Sequence, residues 1–220
     1  MEQNDRLIGL SRQGRPLQGW GFPNAGRRLL IFGGIHGDEP ASVDAVEALR
    51  QRLTAAPARG EPAVWVVPAL NPDGLAAGQK NSASDVDLNR NFPAANFVRA
   101  HAPGYDPGPA PLSEPETAAL ARFIDQASID AVVAVHAPFA CVNFDGPAAD
   151  WAAQVASASG WPVRGNIGYP TPGSFGSWLG VDRGLPILTL ELPPGPLASF
   201  RAQAAAALDR AVAYWNNNVG

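Results

Sequence analysis

The chain has 220 residues, 46% of them hydrophobic, which is enough for one sizeable core, so a single domain over residues 1–220 is expected. Its formal charge of -4 supplies no basic field, so neither nucleic acid nor an anionic membrane surface is expected as a partner. The one cysteine, Cys141, excludes an intramolecular disulfide framework, and no apolar run approaches the ~18 residues of a membrane span.

In chain order, the opening MEQNDRLIGLSRQ is polar and lacks a positive start followed by an apolar stretch, so the expected location is cytoplasmic. Leu7-Ile8-Gly9-Leu10 reads as an edge strand. Arg28 to Phe32 reads as a buried strand. Pro40 to Leu53 reads as a helix, with Pro40 in its first turn and Val43, Ala45, Val46 and Leu49 on one side. Ala55 to Pro62 is an Ala/Pro/Gly turn. Ala63 to Val67 is a second apolar strand, ended by Pro68. Residues 71–111 are rich in Pro, Gly and Asn and read as loop, of a length usually reserved for function. Ser113, Pro115 and Glu116 read as a capping box that opens a helix, with Leu120, Phe123 and Ile124 as its buried stripe. Ala131 to Val135 is a third strand, Asp150 to Ser159 a short helix, Pro186 to Leu190 a fourth strand and Phe200 to Trp215 a closing helix. Unbroken apolar strands divided by helices predict an α/β fold: a mixed, mostly parallel sheet with helices on both faces.

In open α/β sheets, ligands bind beyond the carboxyl ends of the strands. His36, Asn71, His136 and Glu191 each follow one of the four strands, and the chain has only three histidines. His36, Glu39 and His136 supply two imidazoles and a carboxylate, the protein ligands of a catalytic zinc site with a fourth position left for water. Other divalent ions suit the same donors. The spacing in GGIHGDEP (Gly33 to Pro40) also fits a glycine-rich turn with a solvent-facing His36, and with Glu39 merely favouring a helix start.

GGIHGDEP, NPDG (Asn71 to Gly74), DLNRNFP (Asp87 to Pro93), SEPET (Ser113 to Thr117), His136 and LTLELP (Leu188 to Pro193) recur in this order in zinc carboxypeptidases, which the chain resembles over roughly residues 30–195. DLNRNFP, SEPET and PGSFGSW (Pro172 to Trp178) resemble the murein tripeptide amidase branch in particular. The resemblance implies one zinc ion per chain held by His36, Glu39 and His136, with Glu191 as the catalytic glutamate that moves the proton from water to the leaving amine. It implies that Asn89 and Arg90 grip the substrate's terminal carboxylate, for which a guanidinium fork is suited. Asp87 matches a residue that orients the first zinc histidine. Tyr169 falls on the tyrosine of a mobile loop over the site, with its proline-rich neighbours forming a constrained turn. Lys80 stands where the branch would carry an oxyanion-stabilising arginine, Ser82 where asparagine is usual and Asp85 where glycine is usual. Lysine supplies charge without a fixed fork. Gly176 stands where carboxypeptidases place a side-chain-selecting residue and would leave room for a long side chain with a polar end. His101 reads as an ordinary loop residue, with a substrate contact as the alternative, and Cys141 as a small buried apolar group. The implied substrate is a small peptide, the released muropeptide L-Ala-γ-D-Glu-meso-diaminopimelate, cut between D-Glu and diaminopimelate. A related zinc hydrolase of N-acyl amino acids or ordinary peptide termini, and an inactive ligand-binding homologue, are the alternatives.

Overall fold

The computed structural model describes residues 4–55 and 62–217. Its strands are β1 (Asn4–Leu10), β2 (Pro16–Phe22), β3 (Arg28–Phe32), β4 (Ala63–Val67), β5 (Ala131–His136), β6 (Cys141–Asp145), β7 (Val163–Arg164) and β8 (Ile187–Glu191). Its α-helices are α1 (Pro40–Ala55), α2 (Pro72–Ala77), α3 (Pro115–Ala127), α4 (Ala149–Ser159) and α5 (Arg201–Asn217). Short 3-10 turns cover Leu88–Arg90 and Leu197–Ser199, and a π-helix covers Gly176–Asp182.

All eight strands join one sheet in the order β1-β2-β4-β3-β5-β8-β6-β7. The central neighbours β4-β3-β5-β8 run parallel, while β1-β2, β2-β4 and β8-β6 pair antiparallel. The central strands are apolar at successive positions because both faces are covered. Leu29, Ile31, Val133, Val135, Leu188 and Leu190 face the layer of α1, α4 and α5. Leu30, Phe32, Val132, Ala134 and Ile187 face α3 together with Phe92, Phe175 and Trp178. The expected mixed, mostly parallel sheet with helices on both faces is therefore the fold observed.

The structure revises two local expectations and bears out a third within a longer strand. Residues 71–111 are not all loop: Asn71 caps α2 by accepting from the Gly74 amide at 2.9 Å, and Asp87 caps the 3-10 turn by accepting from the Asn89 amide at 2.9 Å. Ser113 and Glu116 do not form a capping box. Glu114 is the N-cap residue, the Ser113 hydroxyl accepts from Asn91 Nδ2 at 2.9 Å, and the buried Glu116 carboxylate accepts from the Arg12 amide at 2.9 Å. The expected edge strand at Leu7–Leu10 is the end of β1, and it pairs with β2, which carries no apolar alternation. Gly19 and Gly21 are buried in β2 where apolar residues would normally sit. A side chain at Gly21 would lie 2.8 Å from the Trp65 ring, so Trp65 fills that space instead. The predicted turn at 55–62 lies mostly outside the described residues.

Candidate metal centre and substrate cleft

The turn after β3 is held by the turn after β4. Asn71 donates its amide to the Gly34 carbonyl at 2.7 Å, and Gly37 donates to the Lys80 carbonyl at 3.2 Å. A Cβ at Gly37 would run into the Gly74 backbone, so only glycine lets the two turns approach this closely. Ser42 completes the lock: its hydroxyl accepts from the Gly34 amide at 3.0 Å and donates to the Glu39 carbonyl at 2.7 Å. His36 and Glu39 are thereby fixed on one side of the turn, directed at the end of β5.

His136 ends β5 and stands in parallel register with Glu191, which ends β8. The Glu39 carboxylate lies between the two imidazoles, with Oε1 2.8 Å from His36 Nδ1 and Oε2 3.3 Å from His136 Nδ1. One donor atom from each of His36, Glu39 and His136 lies within 4.8 Å of the others. Two nitrogens and a carboxylate at this separation fit a divalent cation of the zinc type. Glu191 is buried beside them, and its Oε2 has no hydrogen-bond partner among the described residues. A buried acceptor left unmatched by protein donors suits a site that receives water or substrate.

Electrostatics follow this geometry. Burial opposes charge on His36, but hydrogen bonds to Asp87 and Glu39 outweigh it and raise the imidazole to about 9. Burial also opposes charge on Glu39, yet the two histidines bring its carboxyl down to about 2. Asp87 is likewise held low against burial, by His36, Lys80 and Arg90. Glu191 is pushed up, chiefly by burial, with His136 opposing.

Asp87 links the candidate metal cluster to the cleft wall. Its Oδ1 is 3.2 Å from His36 Nε2, and its Oδ2 accepts from Lys80 Nζ at 2.6 Å. Lys80 also donates to the Gly104 carbonyl at 3.0 Å and lies 3.8 Å from the centre of the Tyr105 ring. Arg90 lies 5.3 Å from the same ring and donates to the Asn89 carbonyl at 2.6 Å. Tyr169 stands 6.2 Å from Tyr105 and 6.3 Å from Phe139, ring centre to ring centre, and burial pushes its phenol up. A cleft of about 390 Å³ brings together His36, Glu39, His136, Glu191, Lys80, Asn89, Arg90, Tyr169 and Gly176.

A zinc carboxypeptidase family model matches residues 6–145. Murein peptide amidase A of Escherichia coli K12 is 39% identical over 199 residues, which cover 84% of this chain and 80% of that protein. The chain belongs to the zinc carboxypeptidase family. The Vibrio campbellii protein of the same name is 36% identical over 76% of this chain and 70% of its own length. The crystal structure of murein-tripeptide amidase MpaA from Escherichia coli O157 superposes with a TM-score of 0.77 at 35% identity, covering 94% of this chain and 90% of that one. Thrombin-activatable fibrinolysis inhibitor gives a TM-score of 0.85 at 19% identity, a likeness of fold. Family, fold and ligand cluster make this chain a metal-dependent hydrolase of the zinc carboxypeptidase and amidase class.

Five residues refine the reading of the zinc carboxypeptidase motifs. Asn71 does not join the cleft: besides capping α2, it donates to the Lys80 and Asn81 carbonyls. Gly176 lines the cleft, but the space above it is taken by this chain's own Asp145, whose carboxylate a Cβ at Gly176 would strike. His101 is exposed, its Nδ1 3.1 Å from the Ala102 carbonyl, and does not line the cleft. Tyr105 and Asp145 are cleft residues that no motif announced. Tyr105 lies in a Pro/Gly loop, and Asp145 ends β6, a strand without a sequence signature.

Proposed function

We propose that this hydrolase is a cytoplasmic zinc amidase that cuts the γ-D-Glu–meso-diaminopimelate bond of released murein tripeptide. The observation that carries the reading is the gathering, in one cleft, of the His36–Glu39–His136 cluster, the Glu191 carboxylate with its Oε2 unpartnered among the described residues, and the Asn89–Arg90 pair. The amidases to which the chain is similar over most of its length supply the substrate class.

Zinc held by His36, Glu39 and His136 would supply Lewis acidity, polarising the scissile carbonyl and acidifying water. Glu191 accepts the water proton and delivers it to the departing amine. Asp87 keeps the His36 ring oriented and ties down the Lys80 ammonium, which faces the cleft as the positive charge for the developing oxyanion. Arg90 and Asn89 hold the substrate's α-carboxylate, and Tyr169 covers it from the loop. A second reading, hydrolysis of other small amides with a free terminal carboxylate, draws on the same clamp, which asks only for that carboxylate.

The test is hydrolysis of L-Ala-γ-D-Glu-meso-diaminopimelate, with products identified by mass. Efficient release of diaminopimelate is expected, with much slower cleavage once its α-carboxylate is amidated. Arg90→Lys is expected to raise KM and narrow that gap, because lysine cannot form the bidentate contact. Equal rates on acid and amide would remove the clamp assignment. Cleavage of acyl amino acids without the tripeptide would select the second reading.

A further inference from the structure

Lys80 is the only lysine of the chain; the other 15 of its 16 Lys and Arg residues are arginine. A lysine ammonium is a compact charge on a flexible four-carbon stem, without the planar fork that orients a guanidinium. Lys80 is nonetheless held on three sides. Asp87 Oδ2 accepts from its Nζ at 2.6 Å, the Gly104 carbonyl accepts at 3.0 Å, and the nitrogen lies over the Tyr105 ring, 3.8 Å from its centre. The loop that supplies the carbonyl and the ring is stitched onto Asp87 itself. The Asp106 carbonyl accepts from the Asp87 amide at 2.8 Å, and the Asp106 carboxylate accepts from the Gly108 amide at 2.8 Å. Gly104 bends that loop with a φ of 80°, which favours glycine.

The two acceptors account for two of the three ammonium hydrogens. The third side is covered by a ring face, which attracts the charge through its quadrupole without binding an N–H to an acceptor. A third carbonyl there would hold that hydrogen. A ring leaves it able to turn to an oxygen arriving in the cleft, which Lys80 and Tyr105 both line. Tyr105 is 37% exposed and belongs to neither core cluster of the described residues, so core packing does not account for its position. Arg90 also faces this ring, but at 5.3 Å, and has its own anchor in the Asn89 carbonyl at 2.6 Å. We propose that Tyr105 is a positioning residue for hydrolysis: its ring holds the Lys80 ammonium at the cleft with one hydrogen uncommitted, to be given to the oxyanion that forms at the scissile carbonyl. This rests on the hydrolase reading above and deepens it.

The experiment crosses Tyr105→Leu and Tyr105→Phe with Lys80→Arg, and follows kcat and KM for the murein tripeptide and for benzoyl-glycyl-phenylalanine. Tyr105→Leu should lower kcat about 3–30-fold, the range of a cation–π contact, with KM nearly unchanged. Tyr105→Phe keeps the ring and should recover most of that loss. In the Lys80→Arg background, Tyr105→Leu should cost less than about 2-fold, because a guanidinium fork brings its own orientation. A further measurement needs no turnover. With a single lysine, protein labelled with 13C at the lysine Cε gives one methylene resonance. The ring should shift it upfield in the unaltered protein and in Tyr105→Phe, and the shift should be lost in Tyr105→Leu. A rise in KM with kcat intact would assign Tyr105 to the Arg90 clamp and overturn the proposal. An equal kcat loss in both backgrounds, or a methylene resonance that ignores Tyr105→Leu, overturns it as well. If benzoyl-glycyl-phenylalanine is cut and the tripeptide is not, the muropeptide reading falls, and the same kcat ratios on the peptide that is cut decide Tyr105.

Discussion

Glu191 and Glu39 are both buried or nearly so, and their surroundings separate their tasks. Glu39 lies between two imidazoles that hold its carboxyl at about 2, so it stays an anion, as a candidate ligand must. Glu191 is raised chiefly by burial and keeps one oxygen without a protein partner, which leaves it able to take up and release a proton. Glu191→Gln keeps the shape and removes that capacity. Turnover is expected to fall by about 10²–10⁴-fold while metal content is unchanged. Steady-state rates beside metal analysis of the same preparation check this, and near-normal turnover would remove Glu191 from proton transfer.

At the scale of elements, the cleft depends on short pieces that cannot stand alone. The six-residue α2 is below the length at which a helix is stable by itself. It is anchored by Asn71 at its start and by Asp73, whose buried carboxylate accepts from the Ser11 hydroxyl at 2.7 Å, the Gln13 amide at 2.9 Å and Arg15 at 2.6 Å. These bonds reach the turn between β1 and β2, so the edge hairpin and the turn that wedges against Gly37 hold each other. Burial alone would raise the Asp73 carboxyl, but those donors lower it from its ordinary 3.8. Its contribution to stability is therefore fully present above that pH and is lost as pH falls through the lowered folded value. Asp73→Asn is expected to cost roughly 2 kcal/mol at neutral pH, with the gap to the unaltered protein closing in acid. Urea unfolding at pH 7 and near pH 3 reads this, and an equal gap at both would exclude the charge as the cause. Asn91 plays a comparable part for the long loop: its amide donates to the Pro107 and Ala110 carbonyls and accepts from Thr117, so one buried side chain gathers the segment ahead of α3.

For the whole molecule, the candidate metal ligands come from two neighbouring parallel strands, β3 through its turn and β5 directly. An ion there ties the centre of the sheet together and favours the folded state by mass action. Chelation should lower the melting temperature. Zinc restored to about 100 times its dissociation constant should return roughly 2.7 kcal/mol. His136→Ala should lose both the bound metal and the thermal response to zinc, and full metal retention in that variant would remove His136 from the ligand set. No helix among the described residues is long and apolar enough to cross a membrane.

The sequence by itself determined the central sheet and pointed to the three side chains that gather as a candidate metal cluster. Arg28–Phe32, Ala63–Val67, Ala131–His136 and Ile187–Glu191 are covered on both faces, so burial is written into consecutive residues and needs no knowledge of what packs against them. His36, His136 and Glu191 were legible by position, at or just beyond the carboxyl ends of such strands. Asn71 had the same position and lies outside the cleft, so it was the ordered motifs of the zinc carboxypeptidases that added Glu39 and singled out the set. Tertiary structure alone decided the rest. The inward glycines of β2 make sense only once Trp65 lies across from them, and α2 only once Ser11 and Arg15 reach Asp73 from a distant turn. Gly176 read as open space for substrate because nothing local to it says that Asp145 is seated there. A long-range contact fills a position that local pattern can only show as empty, and in this cleft that contact places a carboxylate where the sequence suggested a void.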